Sequence, residues 1–194
     1  KRYFSNKSYL KWLTQSKQLT HLTFGPTPKS CDSSAFRSRP LKAAQAKYEK
    51  TLKRTKLLSL DLRNPQSTLS QSTLSYPSTL CKLSMSLGDP QSRFQLDLSQ
   101  LHNLHHLSIF HLNPVLFFDD PLEILHSLPN PHKITHLTIN APYFIIPKLQ
   151  ASLINFQSLY SLNLEGCSFL SLSPLFKNSQ NLSNLRKLTL SVPI

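Results

Sequence analysis

The sequence predicts an α/β solenoid: a curved parallel sheet on one side, short helices and irregular turns on the other, in about seven repeats. Three observations in the 194 residues carry this. The pattern Leu-x-x-Leu-x-Leu, with Ile, Phe or Met standing in at some positions, occurs seven times. Its first positions, 19, 57, 80, 104, 134, 159 and 185, step by 38, 23, 24, 30, 25 and 26 residues. All but the first step stay near the roughly 20–29 residues of one strand-plus-helix unit. The fourth and sixth positions are two apart, so both side chains share one strand face, and the residues between and beside them are polar.

Residues 1–18 precede the first motif and read as an N-terminal cap; the repeat domain runs over 19–194. It opens with Leu19-x-x-Leu22-x-Phe24. The long first step holds an insertion at 27–56. There, 27–40 is rich in Ser, Pro and Lys and reads as a loop, whereas Leu41 to Lys56 has neither Pro nor Gly and reads as a helix through Ala43, Ala44 and Ala46. The next strands are Leu57-x-x-Leu60-x-Leu62 and Leu80-x-x-Leu83-x-Met85, separated by a low-complexity return at 66–78. Leu104-x-x-Leu107-x-Ile109 follows, with Leu98, Leu101 and Leu104 at helical spacing before it. Ahead of Ile134-x-x-Leu137-x-Ile139, Asp120-Pro121-Leu122-Glu123 looks like a helix start. Asp120 caps, Pro121 takes the first position and Glu123 completes a capping box, until Pro129-Asn130-Pro131 ends the helix. Leu149, Leu153 and Phe156 give the same helical wall before Leu159-x-x-Leu162-x-Leu164, and Leu185-x-x-Leu188-x-Leu190 is last. One such strand cannot bury its apolar face alone; seven stacked in parallel can.

With these motifs in place, the chain resembles the leucine-rich-repeat proteins over about Leu10 to Leu190. Regular members carry Asn or Cys after the third apolar residue, with two residues between. Only Cys167 fits that place; Thr27, Pro65, Gly88, Leu112, Pro142 and Pro193 occupy it elsewhere. The resemblance is therefore to the irregular or cysteine-containing subclass. It implies a non-catalytic scaffold whose strand face carries the contacts.

On that face, His106, Ser108, His136, Thr138, Ser161, Asn163, Lys187 and Thr189 should form one contiguous polar surface, because neighbouring parallel strands lie ~4.8 Å apart. These side chains are small and mostly neutral, which suits docking of another protein subunit. His106 and His136 should stand side by side, about 5 Å apart. Zinc is conceivable at the cluster His102, His105, His106 and His111, but no Cys lies near it in sequence and the strand alternation turns His106 and His136 to solvent, so no metal site is assigned.

Catalysis finds no support. Acids are few, Asp61 and Glu165 fall in separate repeats, and no Ser-His-Asp or Cys-His arrangement has supporting spacing. With 3 Gly and no Gly-Lys-Ser/Thr, a phosphate-cradling loop is excluded, and neither a cofactor nor a small-molecule substrate is expected. No apolar run reaches the ~18 residues of a membrane span. Three widely separated cysteines, Cys31, Cys81 and Cys167, do not make a secreted disulfide framework.

The charge is strongly positive: 22 Lys+Arg against 9 Asp+Glu, net +13. That points to an acidic partner, or to a compartment whose proteins run basic. Lys42, Lys47, Lys50, Lys53, Arg54 and Lys56 crowd the insertion, where they could meet RNA, lipid head groups or an acidic protein. The opening Lys1-Arg2-Tyr3-Phe4-Ser5 resembles a matrix-peptidase cleavage site, and no acid precedes Asp32, the composition of an imported mitochondrial end. Together these features lead to an expected function. The chain would be an accessory protein of a large mitochondrial assembly, in the matrix or on the matrix side of the inner membrane. The mitochondrial ribosome, with protein subunits and rRNA as partners, suits the charge best. A respiratory-chain or ATP-synthase complex is the rival, since the chain is also similar to the small leucine-rich-repeat proteins of the ATP synthase subunit s and distal-membrane-arm assembly families. A third class, the F-box-type ubiquitin-ligase receptor, needs a helical module ahead of the repeats, for which Lys1 to Ser16 is too short.

Overall fold

A computed structural model of the chain describes residues 20–23, 56–62, 76–87, 98–111, 123–140, 146–166 and 182–191. These contain seven strands: β1 His21–Thr23, β2 Ser59–Leu62, β3 Lys82–Leu87, β4 His106–His111, β5 His136–Asn140, β6 Ser161–Glu165 and β7 Lys187–Ser191. Every pairing is parallel, and the strands stand in the sheet in sequence order. The expected parallel α/β sheet is thus present. The register aligns the motif with itself: Leu60 pairs with Leu83, Leu83 with Leu107, Leu107 with Leu137, and Leu137 with Leu162. A one-residue slip anywhere would turn a strand's apolar side chains to the polar face, so the period-2 pattern fixes this register.

Inside lie the fourth- and sixth-position residues, among them Leu60, Leu83, Leu107, Leu137 and Leu162. The first-position residues Leu57, Leu80, Leu104, Ile134 and Leu159 join them in the same core. Leu98, Leu101, Leu125, Leu149, Leu153 and Phe156 complete it. β7 departs from the expectation: Leu188 is 37 % exposed. Among the described residues β7 has a neighbour on one side only, so its apolar face is covered from one side. The side chain of Leu22 lies outside those described.

Helices are few and short among the described residues: α1 Glu123–His126, α2 Ile146–Leu153 and a 3₁₀ turn, Pro131–Lys133. The Asp120–Pro121 cap lies outside the described residues. α1 ends where the Ser127 hydroxyl and N–H both donate to the Ile124 carbonyl, at 2.8 and 3.2 Å. α2 buries Leu149, Ser152 and Leu153, and the Ser152 hydroxyl meets His126 Nε2 at 3.3 Å, tying the two helices together. The helix expected over Leu98, Leu101 and Leu104 is instead a pair of turns: Leu101 N–H donates to Leu98 O and Leu104 N–H to Leu101 O. An apolar residue at every third place satisfies successive i→i+3 bonds as well as it satisfies a helix.

Two backbone devices recur among the described strand starts, the first at β3 to β7 and the second at β2 to β7. The N–H of the first motif residue donates to the carbonyl three residues back: Leu80 to Pro77, Leu104 to Leu101, Ile134 to Pro131, Leu159 to Phe156 and Leu185 to Leu182. Then two consecutive N–H groups converge on one carbonyl of the preceding unit. Leu58 and Ser59 share Thr20 O, Cys81 and Lys82 share Leu58 O, and His105 and His106 share Cys81 O; the series continues through His105 O, Thr135 O and Tyr160 O. Second-position residues such as Leu58 and Tyr160 take part in this sharing and are exposed instead of following the strand alternation inward. A third series uses side chains: Asn103, Asn130 and Asn184 each donate an amide N–H to the preceding turn, at Ser78 O, His102 O and Gln157 O. β6 leaves through Gly166, whose φ of 74° is open to glycine at no steric cost and whose N–H reaches Ser191 O at 2.8 Å. No helix among the described residues is long and apolar enough to cross a membrane.

Candidate functional site

The register brings all eight expected strand-face residues together in two adjoining rows. His106, His136, Ser161 and Lys187 are successive partners in one; Ser108, Thr138, Asn163 and Thr189 are successive partners in the next. The six on β4 to β6 are half-buried, and Lys187 and Thr189 on β7 are exposed. Both rows continue to β3, where Lys82 pairs with His106 and Ser84 with Ser108.

His106 and His136 stack face to face, with ring centroids 4.1 Å apart and planes 6° from parallel. Tyr160 tilts against the other side of His136 at 5.8 Å. The Thr135 hydroxyl has one hydrogen, which it donates to His105 O at 3.2 Å, while its oxygen stands 2.9 Å from His136 Nδ1. Thr20 and His21 repeat the contact on β1, again at 2.9 Å. His106 titrates below its ordinary value: burial disfavours the cation first, and the positive charges of His136, Lys82 and His105 add to it.

At the far end of the face a carboxylate is clasped. Asn163 Nδ2 donates to Glu165 Oε1 at 2.6 Å, and Asn140 Nδ2 to Oε2 at 3.0 Å. The carboxylate fixes which way the Asn163 amide turns, because the reverse orientation would set two acceptors against each other. The cost is Asn163 Oδ1, buried without a hydrogen-bond partner among the described residues. A second orphan, the Tyr76 hydroxyl, sits in the core ahead of β3, and burial pushes its ionisation well above the usual range.

Of the basic insertion, Lys56 is exposed beside buried Leu57 and is not helical. Lys42, Lys47, Lys50, Lys53 and Arg54 lie outside the described residues. Among the described residues no three His, Cys, Asp or Glu side chains gather to hold a metal. Sequence reasoning passed over Lys82 as a site residue, although it holds the same motif position as His106 one unit earlier. It also passed over Tyr160, which pattern alone would turn inward, and over the amide clasp, which depends on residues beyond the six-residue motif.

The surface these groups make is a grid of hydrogen-bond donors and acceptors whose first row has a lysine at either end, Lys82 and Lys187. Compared with known proteins, the chain matches no family model, no curated protein and no solved structure.

Proposed function

We propose that the chain is a leucine-rich-repeat solenoid acting as a non-catalytic scaffold, an accessory protein of a large mitochondrial assembly that docks a protein subunit on its strand face. One observation supports this above the others: the motif's polar positions stay in unbroken register from β3 to β7, giving a broad ordered face with no cleft required. Stacked repeats build extended surfaces, whereas a substrate site needs converging walls. The net charge of +13 favours the mitochondrial ribosome over a respiratory-chain or ATP-synthase complex, since rRNA would accept the basic insertion.

Size fractionation of native mitochondria with tagged chain tests this. Co-migration with ribosomal particles is expected, and Thr138→Arg, which puts a long charged side chain amid the second row, should release the chain. Migration as a small free species, or residence outside mitochondria, would overturn the proposal. Co-migration with a respiratory complex would move the scaffold to the rival assembly.

A further inference from the structure

We propose that the first polar row seats an acidic protein segment, whose carboxylates lie along Lys82, His106, His136 and Lys187 with one carboxylate set across the stacked imidazole pair. This rests on the docking reading and supplies the chemistry of the docked partner.

The register places Lys82, His106 and His136 on three neighbouring strands, with Ser161 and then Lys187 beyond. At ~4.8 Å per strand, these four nitrogen-bearing side chains span about 19 Å. No carboxylate belongs to this row on any of the seven strands. The acids of the same face sit further along their strands, Asp61 two residues on and Glu165 four, and Glu165 is held by two amides.

Among the described residues, the groups around the imidazole pair are positive or neutral. Lys82 on β3 and His105 act on His106; Ser161 on β6, the Thr135 hydroxyl and the Tyr160 ring adjoin His136. Two parallel imidazoles 4.1 Å apart are comfortable when neutral and repel when both are charged. An external carboxylate resolves this, because its two oxygens accept from both rings at once. A carboxylate seated at the pair favours the charged form of the rings it touches, so binding and proton uptake are coupled.

A protein segment fits better than a nucleic acid. The stacked rings spend their facing π surfaces on each other, leaving them unavailable to bases. The adjoining row of Ser108, Thr138 and Asn163 offers neutral partners for peptide amides rather than cations for successive phosphates.

The test is fluorescence anisotropy of the full chain with a short labelled oligo-glutamate peptide, with labelled oligo-uridylate in parallel. Oligo-glutamate should bind saturably and tighten between about pH 8 and about pH 6, by up to roughly tenfold per unit for one proton taken up. His136→Asn keeps a polar group near Nδ1 but cannot take up a proton, and should reduce that pH dependence. Lys82→Gln should weaken binding at both pH values, and Ser161→Lys should strengthen it, a gain that misfolding cannot mimic. Absence of saturable binding at the lower pH, or binding indifferent to all three substitutions, would overturn the proposal. Oligo-uridylate binding with the same sensitivities would give the row to nucleic acid. If oligo-glutamate fails while Thr138→Arg still releases the chain from its assembly, docking stands and the acidic chemistry falls; if Thr138→Arg also has no effect, both fall.

Discussion

Leu137 and Leu188 hold the same motif position, yet one is 1 % exposed and the other 37 %. Truncating Leu137 to Ala should therefore cost about 2–5 kcal/mol in chemical denaturation, the range for a closed core. Leu188→Ala should cost less, about 1–2 kcal/mol, since the side chain is only partly buried and leaves no closed cavity. Equal losses would mean that β7 is covered as fully as β5. His106 gives a pH prediction. Its folded value lies below the ordinary 6.5, so the folded state binds fewer protons than the unfolded one just below that pH. Stability should then rise with pH through that window and level off above it. His106→Gln should flatten this slope in denaturation midpoints taken from about pH 5 to about pH 8, and an unchanged slope would put its source elsewhere. The pairing of His106 with His136 was legible from the motif, since both precede a fourth-position Leu in adjacent units. Their face-to-face stacking was not, because it depends on side-chain torsions that the motif does not set.

Each strand start is an element assembled from backbone more than from side chains. The asparagine rungs are its exception. Asn103→Ala and Asn184→Ala should each cost roughly 0.5 kcal/mol, the low end for a hydrogen bond, because both sites are exposed. Their combination should be additive, the rungs being far apart; thermal unfolding of the single and double variants measures both points, and marked non-additivity would show that the rungs act as one unit. The strands were readable because alternation with period 2 has one geometric meaning. The turns were not, because a three-residue apolar spacing is shared by a helix and by successive i→i+3 turns, and Leu98, Leu101 and Leu104 took the second form. The position after the strand holds a matching residue only at Cys167, and asparagine bonds before the strand instead, at Asn103, Asn130 and Asn184. The polar rows came through because they are the complement of the apolar alternation. The clasp on Glu165 did not, since it needs Asn140 on the neighbouring strand at a depth that the motif does not reach.

Taken whole, the sheet has neighbours in space only where it has neighbours in sequence. Stability should then be graded from strand to strand. Backbone amides of Leu137 and Leu162 should exchange with solvent more slowly than that of Leu188, and a uniform rate across β5 to β7 would indicate a single all-or-none unit. Charge is also a property of the whole chain. If Lys50, Lys53 and Arg54 meet phosphate, each neutral substitution should lower the salt slope of RNA binding by about one unit. A slope unmoved by the triple variant would free the insertion from that role and leave the strand face as it is. The shared carbonyls have one more consequence. β1 and β2 are separated by a 38-residue step and β2 and β3 by a 23-residue step, and both pairs close in the same register. What each unit must supply is a few residues at the seam; the length of chain looping between seams is free to drift. Such a protein can acquire new segments by insertion without relearning how to fold, and foreign loops grafted between the seams should be carried as passengers on an unchanged sheet.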